Sequence, residues 1–223
     1  MAFKRSQKKT SYSPNNDIFN EDILKPGEMS NTIKTTIGVA GCMYRIGTTT
    51  IATQLALFLI FSGKKAVYVE ANNTDFIDEL LHVYADVKPD GSGNVDYDIL
   101  KLVKRDNIQT VMNKDVEYLI FDYGSVFSPS FDSSSFSERN VQILIGGSSP
   151  KEQLFMTEAL KNPLFKKCWV FYNLVPEYDQ KAILKRMTSR AEKTKFTAYM
   201  PDYFKSEKSM DNIFTTVLPD LKK

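Results

Sequence analysis

Short apolar runs rich in β-branched residues recur along this chain, and stretches with helical spacing lie between them. Residues 36–40 (TIGVA), 66–70 (AVYVE), 117–122 (EYLIFD), 141–145 (VQILI) and 168–172 (CWVFY) are predicted strands, with a last one at 196–199. Helices are predicted over 49–62, 76–84, 97–104, 151–161 and 180–191. The helix over 49–62 is apolar nearly all round and ends at Gly63, so it must be buried on every side. Strands without a polar face, separated by helices, are satisfied by a parallel sheet covered on both faces. The expected fold is therefore α/β: a doubly wound, mostly parallel sheet with helices on both faces, in a single domain over residues 35–223.

A chain of 223 residues can bury such a core without disulfides or metals. Residues 1–34 stand apart. They are rich in Ser, Asn, Lys and Pro, carry six basic and four acidic side chains, and are expected to be a flexible tail. Composition argues against several functions. With one histidine, His82, a histidine-based triad or metal centre is disfavoured, and Cys42 and Cys168 lie too far apart in sequence to suggest a disulfide framework or zinc set. The longest apolar run, residues 55–61 (LALFLIF), falls far short of the roughly 18 residues of a membrane helix. Lys4, Arg5, Lys8 and Lys9 are not followed by the apolar stretch of a signal peptide. A soluble, cytoplasmic protein is expected.

The most informative stretch is residues 37–59, IGVAGCMYRIGTTTIATQLALFL. A strand, a glycine-bearing loop and a buried helix that opens with hydroxyls is the layout of a phosphate-binding turn, where backbone amides and the helix N-terminus hold the anion. The segment resembles the loop of the deviant P-loop ATPases of the ParA/MinD family. The resemblance continues in the right order through residues 64–72 (KKAVYVEAN), 117–125 (EYLIFDYGS), 141–153 (VQILIGGSSPKEQ), 168–175 (CWVFYNLV) and 199–204 (YMPDYF).

The resemblance implies ATP or ADP with Mg2+ as cofactors. Gly41, Arg45, Ile46, Gly47, Thr48, Thr49 and Thr50 fall in the loop and helix start that hold phosphate. Thr49 matches the metal-binding hydroxyl, Asp122 the metal-side carboxylate of the Walker B strand, and Asn173 an asparagine that contacts adenine. Glu70 and Asn72 fall where relatives end their second strand in two acids, the second of which helps place the attacking water. The sequence also departs from the pattern. Thr48 replaces the phosphate-binding lysine, Met43 the signature lysine, and Cys42, Tyr44 and Arg45 replace loop glycines. Arg45 is then the candidate substitute cation, and Arg45 and Asn72 are the catalytic candidates. The implied function is a homodimeric localisation or assembly factor that recruits a protein partner, with weak or absent hydrolysis. An active ATPase relying on Arg45 and a nucleotide-free scaffold stay open as alternatives.

Charge is unevenly spread. Residues 181–195 hold six basic side chains against Glu192, and the helix there is expected to turn them outward toward DNA or an acidic partner. Residues 74–98 hold seven acids and one lysine. Near the C-terminus Ile213, Phe214, Val217, Leu218 and Leu221 make an apolar stripe interrupted by Pro219, expected to dock on the domain, so stable membrane insertion is not expected.

Overall fold

The computed structural model describes residues 34–112 and 114–218. The tail expected over 1–34, all but Lys34, and the C-terminal residues Pro219 and Leu221 lie outside these. In chain order the elements are β1 (Thr35–Gly41), α1 (Thr48–Phe61), β2 (Ala66–Glu70), α2 (Phe76–Val83), β3 (Val95–Tyr97), β4 (Leu100–Lys104), α3 (Gln109–Met112), β5 (Tyr118–Ser125), α4 (Ser133–Ser137), β6 (Val141–Gly147), α5 (Pro150–Lys161), β7 (Trp169–Asn173), α6 (Glu177–Met187), β8 (Thr194–Phe196) and α7 (Asp211–Val217). One sheet holds all the strands in the order β3-β4-β2-β5-β1-β6-β7-β8. Every pairing is parallel except β3 with β4. The expected doubly wound sheet is present.

Its centre follows from the apolar runs. All of β2 and most of β1, β5 and β6 are buried, which leaves no face for water. Helix α1 packs against β1, β2, β5 and α7, and its residues 51–59 are all buried. Each such aliphatic side chain removed from water contributes about 1.5–3 kcal/mol. Helix α7 closes the far side of α1. Phe214 lies 5.4 Å from Phe58, ring centre to ring centre, and Phe214, Val217 and Leu218 are buried, so the described part of the C-terminal stripe docks on the domain.

The main departures from expectation lie in three segments. The helix predicted over 97–104 is instead the end of β3, a tight turn and β4. Tyr97 pairs with Leu100 across a two-residue turn in which Asp98 takes a φ of 55°. The apolar spacing of 97–104 suits a helix only if Lys101 faces water. Lys101 is buried, with its ammonium 2.9 Å from Asp96 and 3.6 Å from Asp90, and that neutralisation lets the segment join a sheet. The helix predicted to run to residue 191 ends at Met187 and continues as a 3-10 turn over Thr188–Lys193. The last strand is Thr194–Phe196, and 197–199 lie beyond it.

Candidate functional site

Strand β1 is the point where the sheet order turns, with β5 on one side and β6 on the other. In parallel sheets ligands sit in the crevice outside the carboxyl ends at such a point. A cavity of about 820 Å³ opens there, lined by residues 43–50 of the loop and the start of α1, by Gly124 and Ser125 at the end of β5, by Asn173 at the end of β7 and Leu174 after it, and by Tyr199, Met200 and Tyr203.

The loop is shaped by two glycines. Gly47, at φ 94°, is the residue before α1, and a Cβ there would lie 2.3 Å from the Asn173 amide nitrogen. Gly41 lies beneath the loop, and its missing side chain leaves room for those of Ile46 and Thr48, each of which a Cβ would meet at 2.4 Å. Ile46 turns its side chain into the core, and its carbonyl accepts a 3.0 Å hydrogen bond from Asn173 Nδ2. The Oδ1 of Asn173 accepts the Thr197 hydroxyl, so this residue ties β7, the loop and the segment after β8 together.

Among the described residues no side chain caps the N-terminus of α1, and its first turn contains no acid. Ile51 N–H bonds the Gly47 carbonyl, and the amides of residues 48–50, ahead of it, have no partner within the helix. They open on the cavity that Thr48, Thr49 and Thr50 line. Thr49 Oγ1 donates a 2.6 Å hydrogen bond to Asp122 Oδ2, so the structure brings the two metal candidates together. Asp122 is fully buried. It also accepts from the Tyr68 hydroxyl at 2.9 Å and, through Oδ1, from the Gly124 amide at 2.9 Å. Burial raises its pKa against the pull of these donors.

The β2 end takes another form. Glu70, also buried, accepts the Phe76 amide and so closes the N-terminus of α2. Desolvation lifts its carboxyl to about 7. Asn72, one of the two catalytic candidates, is not in the cavity lining. Its Nδ2 donates to the Asp122 carbonyl at 2.9 Å and its Oδ1 accepts the Thr74 amide at 2.9 Å. Arg45, the other, is exposed on the loop at φ 59° and lines the cavity. Among the described residues it is the one cation in the lining, which also includes the carboxylates of Glu79 and Glu152. Cys42 is buried under the loop, and desolvation pushes its thiol to about 12, so it is no nucleophile.

Sequence reasoning missed Tyr68, Glu79 and Glu152. Glu152 carried a signal, because Ser149 and Glu152 form the capping box of α5 that the pattern S-x-x-E announces. Three of the five non-glycine residues with positive φ among the described residues sit here: Arg45 and Leu174 line the cavity and Asp75 adjoins it. The basic segment departs from the outward arrangement expected of it. Lys181, Lys185, Arg186 and Lys193 are exposed, but Arg190 is half-buried and donates to the carbonyls of Phe165 and Leu160 at 2.8 and 3.3 Å. Lys195 lies over the Trp169 ring at 5.7 Å. Lys193, though exposed, donates to the Lys167 carbonyl at 3.1 Å, so three of the six cations make contacts within the fold.

No protein-family model matches the chain, and no curated protein matches its sequence. Solved structures do. The MinD cell division protein of Aquifex aeolicus superposes with a TM-score of 0.57 at 13% identity, over 85% of this chain and 98% of that one. A plasmid partition protein described as putative, from Borrelia burgdorferi B31 and bound to AMPPNP, gives 0.55 at 13% identity, over 83% and 97%. A ParA-family ATPase of Chlorobium tepidum TLS gives 0.52 at 13% identity, over 86% and 94%. The architecture is the P-loop NTPase-like α/β fold of these structures. Within that class the fold is ParA/MinD-like.

Proposed function

We propose that this chain is a ParA/MinD-like localisation or assembly factor: a cytoplasmic homodimer that takes ATP or ADP with Mg2+ at the β1–α1 loop, hydrolyses weakly or not at all, and recruits a protein partner. The observation that carries this reading is the Thr49–Asp122 hydrogen bond at the uncapped start of α1, beside a cavity of nucleotide size. Thr49 and Asp122 would hold the metal, and the amides of residues 48–50 with Arg45 would hold phosphate. The ion, when bound, supplies positive charge between phosphate oxygens. Glu79 and Glu152 oppose a free polyanion, so the metal complex suits this cavity better than bare nucleotide.

Thr48 costs the site one charge-assisted bond, about 1.5–3 kcal/mol or one to two decades of affinity. A missing transition-state cation costs on the order of a thousandfold in rate. Binding thus survives better than hydrolysis. Exposed Tyr44, Leu174 and Tyr199 at the cavity mouth offer apolar surface to a second copy. No helix among the described residues is long and apolar enough to cross a membrane. Lys181, Lys185 and Arg186 remain available to DNA, and binding there would weaken steeply with salt.

Calorimetric titration with ATP, with and without magnesium, tests the reading. Binding only in the presence of magnesium, with turnover near background, is expected. No heat at millimolar ATP in either buffer overturns it and leaves the nucleotide-free scaffold. The exposed position of Arg45 on the cavity favours one second reading, an active ATPase, and robust turnover abolished by Arg45→Ala would establish that instead.

A further inference from the structure

One buried amide joins the phosphate-loop helix to the opposite wall of the cavity. Gln54 is 1% exposed and lies one turn after Thr50 on the same face of α1. Its Nε2 donates to the carbonyls of Asp202 and Lys205 at 2.8 Å each and approaches that of Tyr203 at 3.4 Å. Its Oε1 accepts the Glu207 amide at 3.1 Å. The segment over 198–207 contains no helix or strand, so no regular ladder serves its backbone. It nonetheless contributes Tyr199, Met200 and Tyr203 to the cavity lining. Aromatic stacking holds its outer side: Phe204 lies 4.2 Å from Tyr97 and 6.3 Å from Phe76, ring centre to ring centre.

We propose that Gln54 is a positioning residue that fixes the 198–207 wall to α1, so that this wall and the loop below it grip opposite ends of one ligand. This rests on the nucleotide reading for the ligand's identity, though not for the latch. Thr50 meets the ligand's phosphate end and Gln54 sets the wall that meets its other end, through backbone rather than through any side chain of the wall. Replacing Gln54 with an apolar residue leaves part-buried carbonyls and one N–H without their partner. The wall then relaxes while the loop stays as it is.

The test uses the full chain and two variants, Gln54→Met, which keeps the length, and Gln54→Asn, which keeps the amide one carbon short. Amide hydrogen exchange without nucleotide is read first. Exchange at Glu207 and its neighbours in 198–207 is expected to quicken at least tenfold in both variants, with β1 and β5 unchanged. Unchanged exchange over 198–207, or equal acceleration in the central strands, overturns the latch. Affinity is read next, for ATP and for inorganic triphosphate with magnesium. A loss of about tenfold for ATP with triphosphate unaffected is expected, whereas equal losses would make Gln54 an ordinary core residue. Should the unaltered protein bind neither compound, the nucleotide reading fails, and the exchange result alone decides the latch.

Discussion

Two neighbouring strands carry a buried carboxylate near their carboxyl ends, and they use it in opposite ways. Glu70 of β2 and Asp122 of β5 are paired in register. Both have a raised pKa because both have left water. Glu70 turns to backbone and closes the N-terminus of α2. Asp122 turns to the hydroxyls of Thr49 and Tyr68, and leaves the amides at the start of α1 without a cap. The first helix needs no ligand. The second presents its positive end to a cavity, an arrangement that suits water or an anion. The difference separates a capped helix start from an uncapped one, though each is approached by a buried acid from an apolar strand.

The largest expected effect tests the β5 side. Asp122→Ala strips the acceptor from the buried Tyr68 hydroxyl and from the Gly124 amide. A loss of about 2–4 kcal/mol in urea unfolding is expected. Asp122→Asn should cost much less, because the two hydroxyls can rotate and accept from its amide. An Ala variant as stable as the parent would mean that the carboxylate does not organise this strand end.

The β2 side predicts a pH signature. Glu70 keeps its proton to about 7 in the folded chain against an ordinary value of 4.5. Between those values the folded state binds more protons than the unfolded one, so this group's contribution is full below about 4.5, declines as pH rises, and levels off above about 7. A decline on the order of 3 kcal/mol is expected from this group. Glu70→Gln should flatten the curve in that window. Identical pH profiles for the two proteins would show that the carboxyl is not desolvated.

A third effect, near 1.5 kcal/mol, concerns the open helix alone. Thr48→Lys restores a cation next to the loop and should tighten ATP binding about tenfold, read by calorimetry. No gain would mean that Tyr44 and Arg45 occupy the space that phosphate would need.

The same contrast marks what was legible in the sequence. The open side announced itself, because a strand run, Gly47, three consecutive threonines and Asp122 at the end of EYLIFD are all side-chain or glycine signals. The closed side gave less. Glu70 was visible as an acid at a strand end, but its use as a cap for α2 depends on the turn at Asp75, whose φ of 55° no residue type there demands. The β3–β4 hairpin was mistaken for a helix because the partners of Lys101, Asp90 and Asp96, lie across a turn that spacing within 97–104 does not reveal. Arg190 was counted as a surface charge since its acceptors are backbone carbonyls, which leave no trace in sequence. Gln54 was passed over within an apolar helix for the same reason.

The smallest effect asks whether α1 can be closed in the manner of α2. Helix α2 carries Asp78 and Glu79 in its first turn beside the Glu70 cap, whereas α1 has no acid there. Thr50 is the third residue of α1, half-buried at the cavity, where a glutamate side chain can reach back toward free amides. Thr50→Glu should therefore stabilise the fold by about 0.5 kcal/mol through the helix dipole, seen as a small rise in the urea midpoint at low salt that fades at high salt. The same charge should abolish ATP binding, since it occupies the seat and repels the phosphates. Thr50→Gln, equal in size and uncharged, should lack the gain and keep most of the binding. The two readouts must move in opposite directions for the contrast to hold. A Thr50→Glu protein that gains nothing and still binds ATP would show that the amides of residues 48–50 are not the anion seat, and the difference between the two helix starts would then be one of packing alone.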